Sequence, residues 1–210
     1  MENIKINRVL INGVLEVKTG LHIGGIKETV KIGGQDAPVI KIKIGKNEFP
    51  YIPGSSLKGK IRHLLENKYN ENDEIIKKIF GQGEGKSTRG QVIFRDAHLS
   101  NIESYLDEDK NLIRDKVFEI KPENKIDRTT GRAEHPRFIE RVIPGTRFDI
   151  ELVVIFEKED EKINILKKLK EGFELLQNDY LGGNGTRGYG KVDVQDVINK
   201  IQQLIQSNLE

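Results

Sequence analysis

Residues 181–192, LGGNGTRGYGKV, place five glycines in twelve positions. Gly183, Gly185 and Gly188 formally satisfy the G-x-G-x-x-G spacing of a dinucleotide-binding turn. That turn needs a strand before the glycines, a helix after them, and an acidic residue about 20 positions on. Here the order is reversed. Residues 160–179 carry Ile163, Leu166, Leu169, Phe173 and Leu176 at helical spacing. The following YGKVDV reads as a short strand, and no acid stands near the ribose position. A bare backbone beside Arg187 still suits phosphate oxygens, and it equally suits a plain helix-to-strand turn.

Working outward, the remaining segments alternate between strand and helix patterns. KINRVLINGVLEVK (5–18) alternates as a long strand, and PVIKIKIG gives a strand over 38–44. PGSSLKGKIRHLLENKY starts a helix, with Ser55 or Ser56 available as a cap and Leu57, Ile61, Leu64 and Leu65 as its apolar stripe. DEIIKKIFG reads as a short helix, GQVIFRDAHL and TRFDIELVVIFE as strands, and VQDVINKIQQLIQ as a final amphipathic helix. Without the irregular segments the order is βαββαβ, over 5–18, 55–68, 91–98, 147–156, 160–179 and 188–194. This is the order of an α+β, ferredoxin-like or RNA-recognition fold. One domain over 1–210 is expected, interrupted by long insertions at about 20–54 and 99–146.

Composition narrows the function. The chain lacks cysteine, which excludes disulfides, thiol nucleophiles and cysteine zinc sites, and its four histidines are scattered. No 18-residue apolar run or signal peptide is visible, so a soluble, cytoplasmic protein without a membrane partner is expected. The net charge of +2 is small, but the charges are segregated. Lys58, Lys60, Arg62 and Lys68 face only Glu66 within 54–68, and residues 121–147 hold seven Lys or Arg against four acids. ESYLDEDK and EKEDEK are acidic. Such separation fits a polyanion-binding face opposite an acidic one, as well as an ordinary charged surface.

Three stretches carry candidate chemistry. FGQGEGKST imitates a phosphate-binding loop, but Gly81 and Gly85 are one residue too close, and a helix rather than a strand precedes them. In PGSSLKGKIR, Ser55 and Ser56 stand at a helix N-terminus, where unbonded N–H groups and the dipole favour phosphate. Lys58 and Arg62, four residues apart, share a face, and Gly59 leaves room for a backbone. IGGQDAPVI sets Asp36 among small residues. A carboxylate there can bind a divalent metal, position water, or simply support a turn.

Taken together, LHIGG, IGGQDAPVI, YIPGSSLKGKIR, FG before a glycine-rich loop, VIFRDA, NKIDRTTGRA and LGGNGTRGYGKV resemble one family over residues 20–192. It is the backbone RAMP subunit of type III-A (Csm-type) CRISPR effector complexes. The resemblance implies an RNA-recognition-like palm, a helical finger and a thumb-like β-hairpin within 99–146. It implies copies stacked as a helical filament on CRISPR RNA, beside other Csm-type subunits, with target single-stranded RNA paired to the guide. It assigns metal-dependent target cleavage, with Mg²⁺ or Mn²⁺, to Asp36 as catalytic and metal-binding residue. RNA contacts fall to His22, Ser55, Ser56, Lys58, Arg62, Arg128, Arg132 and Arg187, and no zinc is expected. The competing readings are a purely structural RNA-binding subunit and a metal-free nuclease processing precursor CRISPR RNA.

Overall fold

Alternation along β1, Asn7–Val17, turns Ile11, Leu15 and Val17 inward and leaves Leu10 and Asn12 outside. A computed structural model describes residues 6–25, 37–71, 73–82 and 88–207, the side chains of residues 125 and 133–135 excepted. β8, Arg147–Phe156, runs antiparallel to β1 without a break, from Asn7 opposite Phe156 to Glu16 opposite Arg147. Ile11 therefore faces the core with Leu152, and Leu15 with Phe148. β9, Val192–Asp193, pairs with the far side of β1 at Glu16 and Val17.

The other side of β8 receives β4, Val92–Phe94, and β5, Ala97–Leu99. The sequence reads these two as one strand. The structure divides them at Arg95 and Asp96: Phe94 lies opposite Leu152 and His98 opposite Asp149, so one strand gains a residue and bulges. β3, Asn47–Ile52, and β2, Lys41–Ile44, extend the sheet in the order β2-β3-β5-β8-β1-β9. All pairs are antiparallel.

Among the described residues four α-helices complete the layer: α1, Gly54–Lys68; α2, Glu74–Phe80; α3, Glu159–Gln177; and α4, Gln195–Gln206. Leu57, Ile61 and Leu65 of α1 join Ile165, Leu166, Leu169, Phe173 and Leu176 of α3 in one core with the sheet. Ile163, expected on the α3 stripe, is only half-buried, because the 3.6-residue line runs through Lys162, Ile165 and Leu169. Lys162 escapes by placing its ammonium over the Phe156 ring and beside Glu159. α4 packs beside the β1 edge next to β9, where Asp196 accepts the Val14 N–H at 3.0 Å. A Cβ on Gly13 would come within 2.7 Å of Val197. Among the described residues no helix is long and apolar enough to cross a membrane.

β6, Phe118–Ile126, and β7, Ala133–Val142, form a separate two-stranded hairpin. It joins the body at its root, where Leu21 and Val142 exchange both backbone hydrogen bonds. Ala37 bridges to Ile139 in parallel beside them.

α1 and α3 approach closely at Gly172 of α3, where an added Cβ would meet Ile61 at 2.6 Å. Ile61 is β-branched and fully buried, so it has little freedom to yield. Gly172→Val should therefore lower unfolding stability by about 2 kcal/mol despite removing a helical glycine. Denaturant titration checks this, and an equal or higher midpoint would contradict the packing.

Candidate nucleic-acid interface

The start of α1 is set by its neighbours rather than by its serines. The sequence offers Ser55 or Ser56 as a cap, but the helix begins at Gly54, with Pro53 at the cap position and no side-chain cap bond. A carboxylate from another element does that work: Asp96, at the β4–β5 bulge, accepts the Gly54 N–H at 2.8 Å. A Cβ on Gly54 would approach the Phe94 carbonyl oxygen to 2.2 Å, so this glycine is demanded by packing. Ser55 is exposed and Ser56 half-buried in the first turn.

Lys58 and Arg62 stand one turn apart on α1, and their circumstances differ. Lys58 has no hydrogen-bond or ion-pair partner among the described residues. Arg62 donates from Nε to Glu66 at 2.7 Å and from a terminal nitrogen to the Gly81 carbonyl at 3.3 Å, tying α1 to the end of α2. Lys60 points elsewhere, to Asp179 at 3.2 Å and over the Tyr180 ring at 3.8 Å. A Cβ on exposed Gly59 would touch nothing within 4 Å.

The glycine-rich loop at 181–192 is closed on the protein itself. Gly183 donates its N–H to the His22 carbonyl at 2.9 Å, Gly190 to Gly20 at 3.1 Å, and Leu181 to Gly190 at 2.8 Å. Positive φ at Gly182, Gly188 and Gly190 makes the path possible, and a Cβ at Gly182 would strike the His22 oxygen at 2.4 Å. Gly185 lies flat on the Tyr180 ring, with 2.0 Å between its virtual Cβ and that ring. Most of these glycines thus serve chain-to-chain approach. Arg187 remains largely exposed, 3.4 Å from Glu123 on β6.

His22 sits where this loop meets the hairpin. Its Nδ1 lies 2.8 Å from the Glu140 carbonyl oxygen, and because a carbonyl only accepts, Nδ1 carries the hydrogen. Nδ1 is thereby engaged, which leaves Nε2 as the ring's other hydrogen-bonding nitrogen. Ala37 accepts the Glu140 N–H at 3.1 Å. Asp36 precedes Ala37 in sequence and lies outside the described residues. Among the described residues no three His, Asp or Glu side chains converge on a metal position.

Beneath these contacts lies a carboxylate the sequence did not single out. Glu140 is fully buried, and it accepts the Val39 N–H at 2.9 Å, Lys41 Nζ at 2.7 Å and Arg114 at 2.6 Å. Tyr189, equally buried, donates its hydroxyl to Glu123 at 2.6 Å, with Lys121 and Arg141 each 4.4 Å from its ring. Burial and then the Glu123 hydrogen bond push the phenol up to about 12. That same bond, outweighing partial burial, holds Glu123 below the usual glutamate range, with Lys121 and Arg187 adding to it. At the far end of the hairpin Asp127 accepts the Thr129 and Thr130 N–H groups at 2.7 and 2.8 Å. Gly131 takes positive φ, and Arg128 and Arg132 are exposed on the turn. The structure thus gathers His22, Arg187 and the hairpin root, while Ser55, Ser56, Lys58 and Arg62 form a second group on α1.

The pattern of the RAMP superfamily matches residues 14–193. A protein of Methanocaldococcus jannaschii, named CRISPR system Cms endoribonuclease Csm3, is 44% identical, over 94% of this chain and 83% of its own length. Proteins of the same name from Streptococcus thermophilus and Mycobacterium tuberculosis are 43% and 37% identical, each over 88% of this chain and over 86% and 85% of their own. The chain belongs to the RAMP superfamily and, within it, to the Csm3 family. The solved Csm3–Csm4 subcomplex of the type III-A CRISPR-Cas interference complex superposes with a TM-score of 0.53 at 29% identity, over 89% of this chain and 74% of that one. A chain of the type III-B Cmr-beta complex bound to cognate target RNA gives 0.63 at 18% identity, over 89% of this chain and 58% of that one, a likeness of fold.

Two predictions follow from the site. Gly59→Ala should raise unfolding stability by up to about 1 kcal/mol, since an exposed helical glycine gains from a methyl. It should also weaken RNA binding, if a backbone approaches α1 there; unchanged affinity in filter binding would remove Gly59 from the interface. For Glu123 the lowered pKa means its stabilisation is fully present above the ordinary glutamate value, about 4.3. It is lost as pH falls through the lowered folded value. The stability advantage of wild type over Tyr189→Phe should accordingly shrink on acidification; an advantage constant from neutrality to about pH 2 would contradict the pairing.

Proposed function

We propose that this chain is the CRISPR RNA-binding backbone subunit of a type III-A interference complex and cleaves the target RNA paired to the guide. The endoribonuclease names of the relatives and the likeness to the Csm3–Csm4 subcomplex support the reading. The single observation that carries it is local. The residue after Asp36 bonds to Glu140, which also holds His22, at the root of a hairpin tipped by Arg128 and Arg132.

On this reading the sheet with α1 and α3 is a ferredoxin-like palm, and the β6–β7 hairpin is the thumb. Lys58, Ser55 and Ser56 receive guide phosphates at the start of α1. Arg62 and Arg187 join them by exchanging a protein carboxylate for a phosphate, a swap between charge-assisted bonds of similar strength. His22 contributes through Nε2. Asp36 acts at the scissile phosphodiester, orienting the attacking group or holding Mg²⁺ or Mn²⁺. A divalent ion there would draw its other oxygen ligands from the phosphate and water, and would polarise the phosphoryl oxygens. Copies of the chain stack along the guide beside other Csm-type subunits, in the cytoplasm.

Asp36→Ala should abolish target cleavage by a reconstituted complex while guide binding and assembly persist. EDTA should silence the wild type, and Mg²⁺ or Mn²⁺ should restore it. Cleavage at the wild-type rate by the Ala variant would leave the chain a structural RNA-binding subunit.

A further inference from the structure

The first half of α1 carries three cations at alternate positions, Lys58, Lys60 and Arg62. Two residues of helix turn a side chain through about 200°. Lys58 and Lys60 therefore leave on opposite flanks of the buried stripe Leu57, Ile61 and Leu65. The Lys60 side chain is only 15% exposed, against 38% for Arg62. Its ammonium lies 3.2 Å from the Asp179 carboxylate and 3.8 Å from the centre of the Tyr180 ring. Asp179 has no other cation among the described residues, so a phosphate that drew Lys60 away would strand a carboxylate and forfeit the ring contact. Arg187 is placed differently. When it leaves Glu123, that carboxylate keeps Lys121 and the Tyr189 hydroxyl.

Tyr180 is where the glycine-rich loop begins. Asp179 accepts the Tyr180 N–H at 2.9 Å, and Gly185 rests on the same ring that faces Lys60. Gly185 opens the tight turn Gly185–Arg187. That turn is closed by the Arg187 N–H on Asn184 and the Gly188 N–H on Gly185, both at 2.9 Å. The Tyr180 hydroxyl has no hydrogen-bond partner among the described residues, so the ring alone carries the contact. Lys60, Tyr180, Gly185 and Arg187 thus form a continuous path from the α1 group of cations to the loop group. We propose that Lys60 is a positioning residue and not a phosphate contact. Through the Tyr180 ring it fixes where the loop holds Arg187 relative to Lys58, so that one RNA strand meets both groups at a set separation. The inference rests on the RNA-binding reading above.

Mutant cycles in filter binding test it, with single-stranded RNA of about 16 nucleotides as the probe. Arg187→Ala should weaken binding about fivefold in the wild-type background. Combined with Tyr180→Leu it should cost less than about twofold, because Arg187 is then no longer held in place. Lys60→Met keeps the stem and removes the charge. It should shrink the Arg187→Ala loss in the same way and add nothing to Tyr180→Leu. Tyr180→Phe keeps the ring and should behave as wild type, and Lys58→Ala should cost the same in every background. A change that merely loosened the fold would leave the Arg187→Ala loss at its full size. An undiminished loss in both the Lys60→Met and Tyr180→Leu backgrounds would therefore overturn the inference. So would a further loss on adding Lys60→Met to Tyr180→Leu, which would make Lys60 a phosphate contact. If neither Lys58→Ala nor Arg187→Ala weakened the wild type, the assignment of RNA contacts would fall, and this inference with it.

Discussion

The buried carboxylate of Glu140 holds together parts of the chain that share no regular structure. Its two oxygens bind a backbone N–H at Val39, an ammonium at Lys41 and a guanidinium at Arg114. A lone carboxylate taken out of water is very costly, and only full pairing makes such a position tolerable. Each donor is therefore fixed by the need of the others. The segment at 37–41, the turn at 114–116 and the β7 strand cannot shift independently without leaving a charge unpaired in the interior. The main-chain atoms of Glu140 extend the arrangement, with its N–H to Ala37 and its carbonyl to His22. Breaking such a cluster from one side costs on the order of 3–5 kcal/mol, which makes the hairpin root more rigid than its two strands alone would be.

A second regularity is that several cations in and around the site are already paired. Arg62 holds Glu66, Lys60 holds Asp179, Arg141 holds Glu119 and Arg187 approaches Glu123. The near balance of 35 basic and 33 acidic residues is thus expressed as paired charges over much of the surface. For a polyanion, phosphates arriving at such a surface replace carboxylates rather than water. The gain per contact is then smaller than for a bare cation, and binding becomes responsive to geometry. Lys58, without a partner among the described residues, departs from this pattern, as do the exposed Arg128 and Arg132 of the hairpin turn.

How far the sequence was legible depended on the range of the interactions involved. Helices α1, α3 and α4 could be read because their apolar residues recur within one element, and β1 and β8 because alternation is equally local. β3 has no counterpart among the strands read from the sequence, and Pro50 lies in its middle. The structure accommodates that residue because β5 stops short of it, pairing only with Tyr51 and Ile52. Glu140 gave no local signal: an acid in a hairpin strand ordinarily faces water, and its partners come from 26 and about 100 positions away. Asp96 was equally silent, because its role as an acceptor for α1 exists only once the bulge meets Gly54. The glycines of 181–192 were recognised as unusual, yet their meaning differed, since bare backbone serves approach by another strand of the same protein as readily as by a ligand.

The partial cover over the β1 edge bears on how these chains can meet. Strand edges with unpaired N–H and C=O groups invite other strands, and uncontrolled assembly usually begins there. Here α4 takes the Val14 N–H and packs Val197 against Gly13, while the opposite margin is the four-residue β2 with its lysines. β2 is too short to serve as a template, and along β1 the free edge is interrupted from Gly13 to Val17. Chains at high local concentration are thereby hindered from sheet-to-sheet continuation, and a contact between copies would have to use surfaces other than the ~4.8 Å ladder of a growing sheet.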